Sequence, residues 1–331
     1  MDHQFTKDSS GVDAALTRSE VLVAPTASGR TVQFISVEPH DYVKLHYAGV
    51  LGRMRRELPF AKAIAGPETS ALIEDAITNT ILPPLLHVLP EPYARSVTLT
   101  NGDARNERGM VYRSATPVGA NTAEIAVLLP CFALFSSDRL AQHHPSLLAQ
   151  ILERNSEIAL EYFIETLILP TVDMYFMLLR TLGLQAEWNA QNLLFGFSRD
   201  FEVVAIVMRD LESVDKDLSL MRRLGMAAHF ESAPYKCIDS NQYNYQIKHS
   251  FMYDFKLGES VLRPLFVAAS DWIGIDFARF AIVSSRVSEH ARHLPDDFFP
   301  KGKWYSFERV LVDQSRDWRP YVEHGEPAFR F

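Results

Sequence analysis

Cysteine is scarce. Cys131 and Cys237 are the two thiols in 331 residues, too few for a disulfide framework or for a four-cysteine metal or cluster site. Both read as packing thiols of a reducing compartment. A basic excess is missing too. Lys and Arg number 33 against 41 Asp and Glu, a net charge of −8, which argues against a general nucleic-acid binder but leaves room for a local anion pocket. The glycine-rich phosphate loops Gly-x-x-x-x-Gly-Lys-Ser/Thr and Gly-x-Gly-x-x-Gly do not occur, and neither does the Gly-x-Ser-x-Gly nucleophile elbow, so a classical nucleotide fold or a serine hydrolase has no support. The first 13 residues are polar and hold no apolar signal core. The longest apolar segment, 158–184, is broken by Glu161, Glu165, Pro170, Asp173 and Arg180, so no uninterrupted membrane span is expected and the reading is a cytoplasmic protein.

What is present is a globular composition, 47% hydrophobic and 22% charged, over a length that suits about two domains at about 150 residues each. Residues 31–37 and 42–48 read as strands, joined by a turn at Pro39-His40-Asp41. Residues 68–89 read as helix, interrupted at Pro83-Pro84. Pro90 and Pro92 then mark the expected domain boundary, dividing the chain into 1–92 and 93–331. Beyond it, strands at 96–100 and 109–114 flank the turn residues Asn101-Gly102-Asp103. Helical patterns cover 145–169, 171–182 (stopped by Gly183), 241–270 and 276–293, with Pro170 expected to kink or split the first pair. The clearest hairpin joins 192–197 to 201–208 through Ser198-Arg199-Asp200, and a short element at 304–312 closes the chain.

That hairpin allows a geometric argument. With residues 198–200 as the loop, Asn189 lies opposite Arg209 and Asn192 opposite Ile206, within two residues. Glu187, Asn189, Gln191 and Asn192 then approach Asp210 and Glu212. Two carboxylates among carboxamides offer hard oxygen ligands that suit Mg²⁺ with substrate phosphates; a solvated strand end, with Arg209 paired to Asp210, is the alternative. Before the first strand, Thr26, Ser28, Gly29, Arg30 and Thr31 form either a phosphate grip or an ordinary polar turn. Lys44, inside an apolar strand, either meets a buried anion or snorkels outward. Arg53, Arg55 and Arg56 are a solvated helix face or further anion contacts. The pairs His143-His144 and His40/His46 lack zinc-site spacing.

The order of these segments resembles the aerobactin-synthetase type of NRPS-independent siderophore synthetases. The matching residues are Ser28, Arg30 and Thr31; Lys44-Leu45; Arg56; Gly109-Met110-Val111-Tyr112-Arg113; Glu187-Trp188-Asn189-Ala190-Gln191-Asn192; Arg209-Asp210-Leu211-Glu212; and, more weakly, Pro300-Lys301-Gly302-Lys303 with Arg309. The resemblance implies an α+β fold in which a partial antiparallel β fingers region is followed by a mostly helical palm with a central β-hairpin. It implies an ATP-dependent ligase that activates a citrate-like polycarboxylate as an acyl-adenylate for an amine or alcohol in siderophore biosynthesis, or a shortened relative that binds nucleotide or acid without turnover. Ser28, Arg30, Thr31, Arg113, Gln191, Asn192 and Lys303 would bind ATP. Lys44, Arg56 and Asn189 would stand at the reacting groups, and Asp210 and Glu212 would hold Mg²⁺. The family motif carries His where this chain has Asn189, and Asn can donate a hydrogen bond but cannot carry charge or shuttle a proton. Family members are also longer ahead of the Ser-x-Arg-Thr segment. The expected partners are therefore the small-molecule acid and its amine or alcohol, a separate chain supplying the preceding part, and a second copy in a homodimer, with no nucleic acid and no membrane.

Overall fold

The structure, a computed structural model, describes residues 21–26, 28–51, 54–98, 107–137, 144–235, 237–274, 280–307 and 321–330. The expectations resting on Arg53, on Asn101-Gly102-Asp103, on His143 and on Arg309 fall outside them. Among the described residues the fold is α+β, and the backbone gathers into two compact units. The first runs to Glu74 and adds Leu89–Val118 and Asp210–Ser213; the second comprises Asp75–Val88, Gly119–Arg209 and Val214 onward. The expected boundary after residue 92 falls within the first unit, because the strands on either side of it belong to one sheet.

That sheet is antiparallel and five-stranded, in the order Val23–Pro25, Thr31–Phe34, Tyr42–Leu45, Glu107–Arg113, Tyr93–Thr98. Side chains alternate between faces, so directly opposed residues share one. Thr31 pairs with Lys44 and Lys44 with Val111, and Arg113 follows Val111 by two; Thr31, Lys44, Val111 and Arg113 therefore project to the same, buried face. The hairpin expected at residues 31–48 is thus present, with shorter strands. The helix Phe60–Thr78 begins eight residues earlier than expected and runs through Pro67. Its first N–H, that of Phe60, is capped by the Glu107 carboxylate at 2.9 Å. Residues 79–89 are not helical: Thr80 turns the chain with φ 56, and Leu86–Val88 is a strand.

The second unit holds a four-stranded sheet in the order Leu86–Val88, Val203–Met208, Leu193–Phe197, Val127–Pro130, its first pair parallel. The register of the 193–208 hairpin differs from expectation by three residues: Leu193 faces Met208 and Phe195 faces Ile206. The loop is longer than the three residues read from sequence. The Ser198 hydroxyl accepts from the N–H of Asp200 (3.1 Å) and Glu202 (3.2 Å), and Ser198 N donates to Glu202 O at 2.9 Å, which closes a five-residue loop.

The rest of this unit is mostly helical. Ala159–Glu161, Tyr162–Ile168 and Leu169–Leu182 follow one another helically, and the middle stretch is wound as a wider π-type turn. The wide turn precedes Pro170, whose missing N–H and bulky ring a regular α-turn would not accept. The expected kink is therefore taken up by winding. Ser156–Leu182 is long and apolar enough to span a membrane by composition, and 72% of its most apolar stretch is buried within the protein. Tyr175, Phe176, Tyr253 and Phe299 pack at ring-centroid distances of 5.3–6.4 Å in tilted and edge-on pairs. Tyr245–Ser250, Phe251–Leu262 and Arg263–Ile273 form a second such helical run, and Trp304–Phe307 pairs with Tyr321–His324. Cys131 is buried and Cys237 half-buried; neither forms a disulfide, and burial alone pushes the Cys131 thiol up, as suits a packing residue.

Candidate functional site

The first unit brings a dense ionic cluster to the buried face of its sheet. Lys44 Nζ lies 2.5 Å from Asp210 Oδ1 and 2.7 Å from each oxygen of Glu212. Arg113 donates to Glu91 Oε1 through Nε (2.9 Å) and Nη2 (2.5 Å), and the same Nη2 reaches Asp210 Oδ1 at 2.5 Å. Glu91 Oε2 accepts from Glu212 N at 3.1 Å. Arg30 approaches Glu212 at 3.7 Å and donates to the Arg56 carbonyl at 2.7 Å. Lys62, on the helix, stands 4.0 Å from Glu212.

Local structure fixes each group. The sheet register sets Lys44 and Arg113 on one face. Asp210 occupies the left-handed region with φ 71, uncommon for a non-glycine residue. It opens a tight turn whose Ser213 donates to the Asp210 carbonyl through both N (3.0 Å) and Oγ (2.6 Å). Glu91 is held by Ser70, whose hydroxyl accepts from Glu91 N at 3.0 Å. Beside the cluster, Asp41 accepts from the Tyr112 hydroxyl and from Ala115 N, the latter at 2.6 Å, and ties the strand ends together.

Charges in this burial shift one another. Burial raises the pKa of Asp210, but Lys44 and Arg113 outweigh it and hold the carboxyl well below the usual range. For Glu91 burial wins over the pull of Arg113, and the pKa rises. Burial lowers that of Arg30 against the attraction of Glu212 and Asp210. Burial would also lower that of Arg113, but Glu91 and Asp210 raise it overall.

Of the residues singled out in sequence, Arg30, Lys44, Arg113, Asp210 and Glu212 meet in this cluster, so Lys44 has a buried anionic partner and does not snorkel. Thr31 lies on the same face, opposite Lys44. Ser28 sits at the preceding turn, its Oγ 2.9 Å from Thr26 Oγ1. Arg56 lies on the strand Met54–Arg56, not on a helix face, and its buried Nε has no hydrogen-bond partner among the described residues. Asn189, Gln191, Asn192 and Lys303 belong to the second unit. There the Asn189 side-chain oxygen accepts from Gln191 N (2.9 Å) and Asn192 N (3.0 Å), so it caps a turn. Asn192 Nδ2 donates to Glu187 O at 3.3 Å, and Gln191 is exposed. Lys303 Nζ pairs with Glu323 at 2.9 Å on the closing hairpin. Sequence reasoning missed Glu91 and Lys62. A glutamate between two prolines was the available signal for Glu91, and it was read as a boundary.

A resident Mg²⁺ on Asp210 and Glu212 does not fit this arrangement. Ligand oxygens of Glu91, Asp210 and Glu212 lie within 4.8 Å of one another, which is compact enough for one cation. Both Glu212 oxygens and Asp210 Oδ1 are taken by the Lys44 ammonium. A divalent ion about 4 Å from that ammonium would be repelled by about 8 kcal/mol at an effective dielectric of about 20.

Solved structures share this architecture. The petrobactin biosynthesis protein AsbB of Bacillus anthracis matches with a TM-score of 0.70 and 14% identity over 94% of this chain and 54% of its own. The ATP-bound aerobactin synthetase IucA of Klebsiella pneumoniae matches with a TM-score of 0.67 and 14% identity over 92% of this chain and 55% of its own. The aerobactin synthetase IucC of the same organism gives 0.61 and 15% over 88% and 51%. This chain has the aerobactin-synthetase fold. It spans about half the length of the structures it matches. No protein-family model matches the chain, and no curated protein does.

Proposed function

We propose that the first unit grips the phosphates of ATP, and that the protein is an ATP-dependent ligase of siderophore biosynthesis that joins a polycarboxylate to an amine or alcohol through an acyl-adenylate. The observation that carries this reading is the charge balance of the cluster. Arg30, Lys44, Arg113 and Lys62 bring four cations to three carboxylates, and the charge of Arg56 acts on Arg30 from beside it. That excess is fixed on a sheet face in a chain whose overall charge is negative. The name of the ATP-bound neighbour agrees with it. In the proposed reaction a carboxylate oxygen attacks the α-phosphorus and pyrophosphate leaves; the amine or alcohol then attacks the acyl carbon, loses its proton and displaces AMP. The protein's part is to hold cations around charge that moves during an in-line displacement, which needs no covalent nucleophile. The magnesium expected on Asp210 and Glu212 is not part of this proposal.

Arg30→Ala should weaken ATP binding by about 2 kcal/mol or more and leave adenosine binding nearly unchanged, because the lost contact is a charge-assisted one to phosphate. Calorimetry with both ligands checks this. Equal losses would make Arg30 structural and remove the phosphate site. A second reading, nucleotide binding without turnover, is favoured by Asn189, whose amide oxygen is spent on a turn and which has no titratable group to carry charge or shuttle a proton. Pyrophosphate release from ATP, screened over citrate, 2-oxoglutarate and related acids with polyamines, separates the two readings: turnover supports the ligase, and binding without release supports the second.

A further inference from the structure

The expected metal ion and the observed cluster disagree in a specific way. Three carboxylates converge within 4.8 Å, as they would around one cation, and a cation is already among them. Lys44 Nζ, with three donor hydrogens, meets three oxygens: Asp210 Oδ1 at 2.5 Å and the two of Glu212 at 2.7 Å. Arg113 takes Glu91 Oε1 and shares Asp210 Oδ1. The remaining Glu91 oxygen is held by Glu212 N. With Arg30 near Glu212, three buried cations balance the three carboxylates, and Lys62, half exposed at 4.0 Å from Glu212, stands outside this inner set.

We infer that the Lys44 ammonium stands where a divalent cation would sit, so that the nucleotide-free protein takes up no Mg²⁺ or Mn²⁺ at this cluster, and removal of the ammonium alone opens a one-ion site. The inference concerns the nucleotide-free protein and does not rest on the proposed ligase activity. Within the buried set, three carboxylates left with two guanidiniums carry a net negative charge, which the half-exposed Lys62 offsets only through water, and hard oxygens of that charge suit Mg²⁺ or Mn²⁺ completed by water. Methionine has a length close to that of lysine and no charge, so it removes the ammonium with little change in packing.

The test is titration of the full chain with Mn²⁺, followed by loss of the free-ion EPR signal. Wild type should show no stoichiometric uptake. Lys44→Met should take up one equivalent, with affinity tightened by about a hundredfold or more over wild type, and Lys44→Met/Glu212→Gln should lose it again. Stoichiometric uptake by wild type that Asp210→Asn abolishes would overturn the inference, as would a folded Lys44→Met that binds none. Should Lys44→Met fail to fold in metal-free buffer, refolding in millimolar Mn²⁺ must recover it. If Mn²⁺ does not recover it, while the charge-rebalanced Lys44→Met/Glu212→Gln folds unaided, the inference fails.

Discussion

A carboxylate's surroundings decide whether its charge helps or harms the fold, and this chain holds both cases. At Asp210, lysine and arginine overcome burial, so its ionised form contributes stability above the unfolded pKa, and that stability is lost as the pH falls through the depressed folded value. Asp215 is the opposite. It pairs with Gln185 in a two-residue ladder, and burial, opposed by Lys248 and reinforced by Glu187, pushes its pKa up to about 6. Between the unfolded value near 3.8 and the folded value near 6 the native state binds the extra proton, so Asp215 favours folding more as the pH falls through that window. Above it, the ionised carboxyl is a burden. Asp215→Asn should therefore raise stability at pH 7 by about 1–3 kcal/mol, the upper end being the full shift converted and the lower allowing for partial solvent contact. Near pH 4 it should change little. Thermal melts of both proteins at the two pH values check the sign, and an equal effect at both would show that titration is not the cause.

Glycines at two helix ends separate backbone strain from crowding. Gly183 ends the helix Leu169–Leu182 with φ 64, and a Cβ there would lie 2.6 Å from Met221 Cγ and 3.1 Å from Met221 N. Gly225 has φ 74 and, among the described residues, nothing within 4 Å of a Cβ. Gly225→Ala should cost about 1 kcal/mol for the left-handed backbone alone. Gly183→Ala should cost about 1–3 kcal/mol more, because the contact with Met221 N offers no flexible atom to move. Urea unfolding of the two variants measures the difference. Gly183 was legible as a helix stop because its signal is local. So was the 31–45 hairpin, where a β-branched and aromatic pattern meets a proline turn, although its register, which puts Thr31 opposite Lys44, was not. The start of the helix at Phe60 was not legible, since the group that caps it, Glu107, lies 47 residues away in sequence. The strand Leu86–Val88 was missed for a like reason: it exists by parallel pairing with Ile206–Met208, and three residues between prolines and a helix have no periodicity of their own. The 193–208 register was misread because the Ser198 hydroxyl, which sets the loop length, bonds beyond the nearest turn. The site was legible as a set of residues but not as a set of bonds. The family resemblance assigned Lys44, Asp210 and Glu212 to one site, and only the register and the turn at Asp210 put the ammonium where the metal was expected.

On the scale of the whole chain, the first unit is not a contiguous stretch. Its ionic cluster draws Lys44, Glu91 and Arg113 from the first 118 residues and Asp210 and Glu212 from a four-residue segment that follows almost a hundred residues later. A fragment ending at Val118 would keep Arg113 with Glu91 but leave the buried Lys44 ammonium without the three oxygens that now receive it. Leaving one partner of a buried pair uncompensated costs about 3–5 kcal/mol, which is comparable with the whole stability of a domain of this size, about 5–15 kcal/mol. Loop closure adds to the cost in the intact chain, but only slowly with length, so the long connection does not cancel what the returning segment supplies. The fragment 1–118 should therefore fail to unfold cooperatively at neutral pH, whereas the same fragment with Lys44→Met and Arg30→Met should recover a cooperative transition, because both cations that lose Glu212 are gone. Denaturant titrations followed by far-UV circular dichroism check both. A cooperative transition in the unmodified fragment, with a midpoint like that of the variant, would mean that Asp210 and Glu212 add little to the fold and that their placement beside Lys44 serves ligand binding alone.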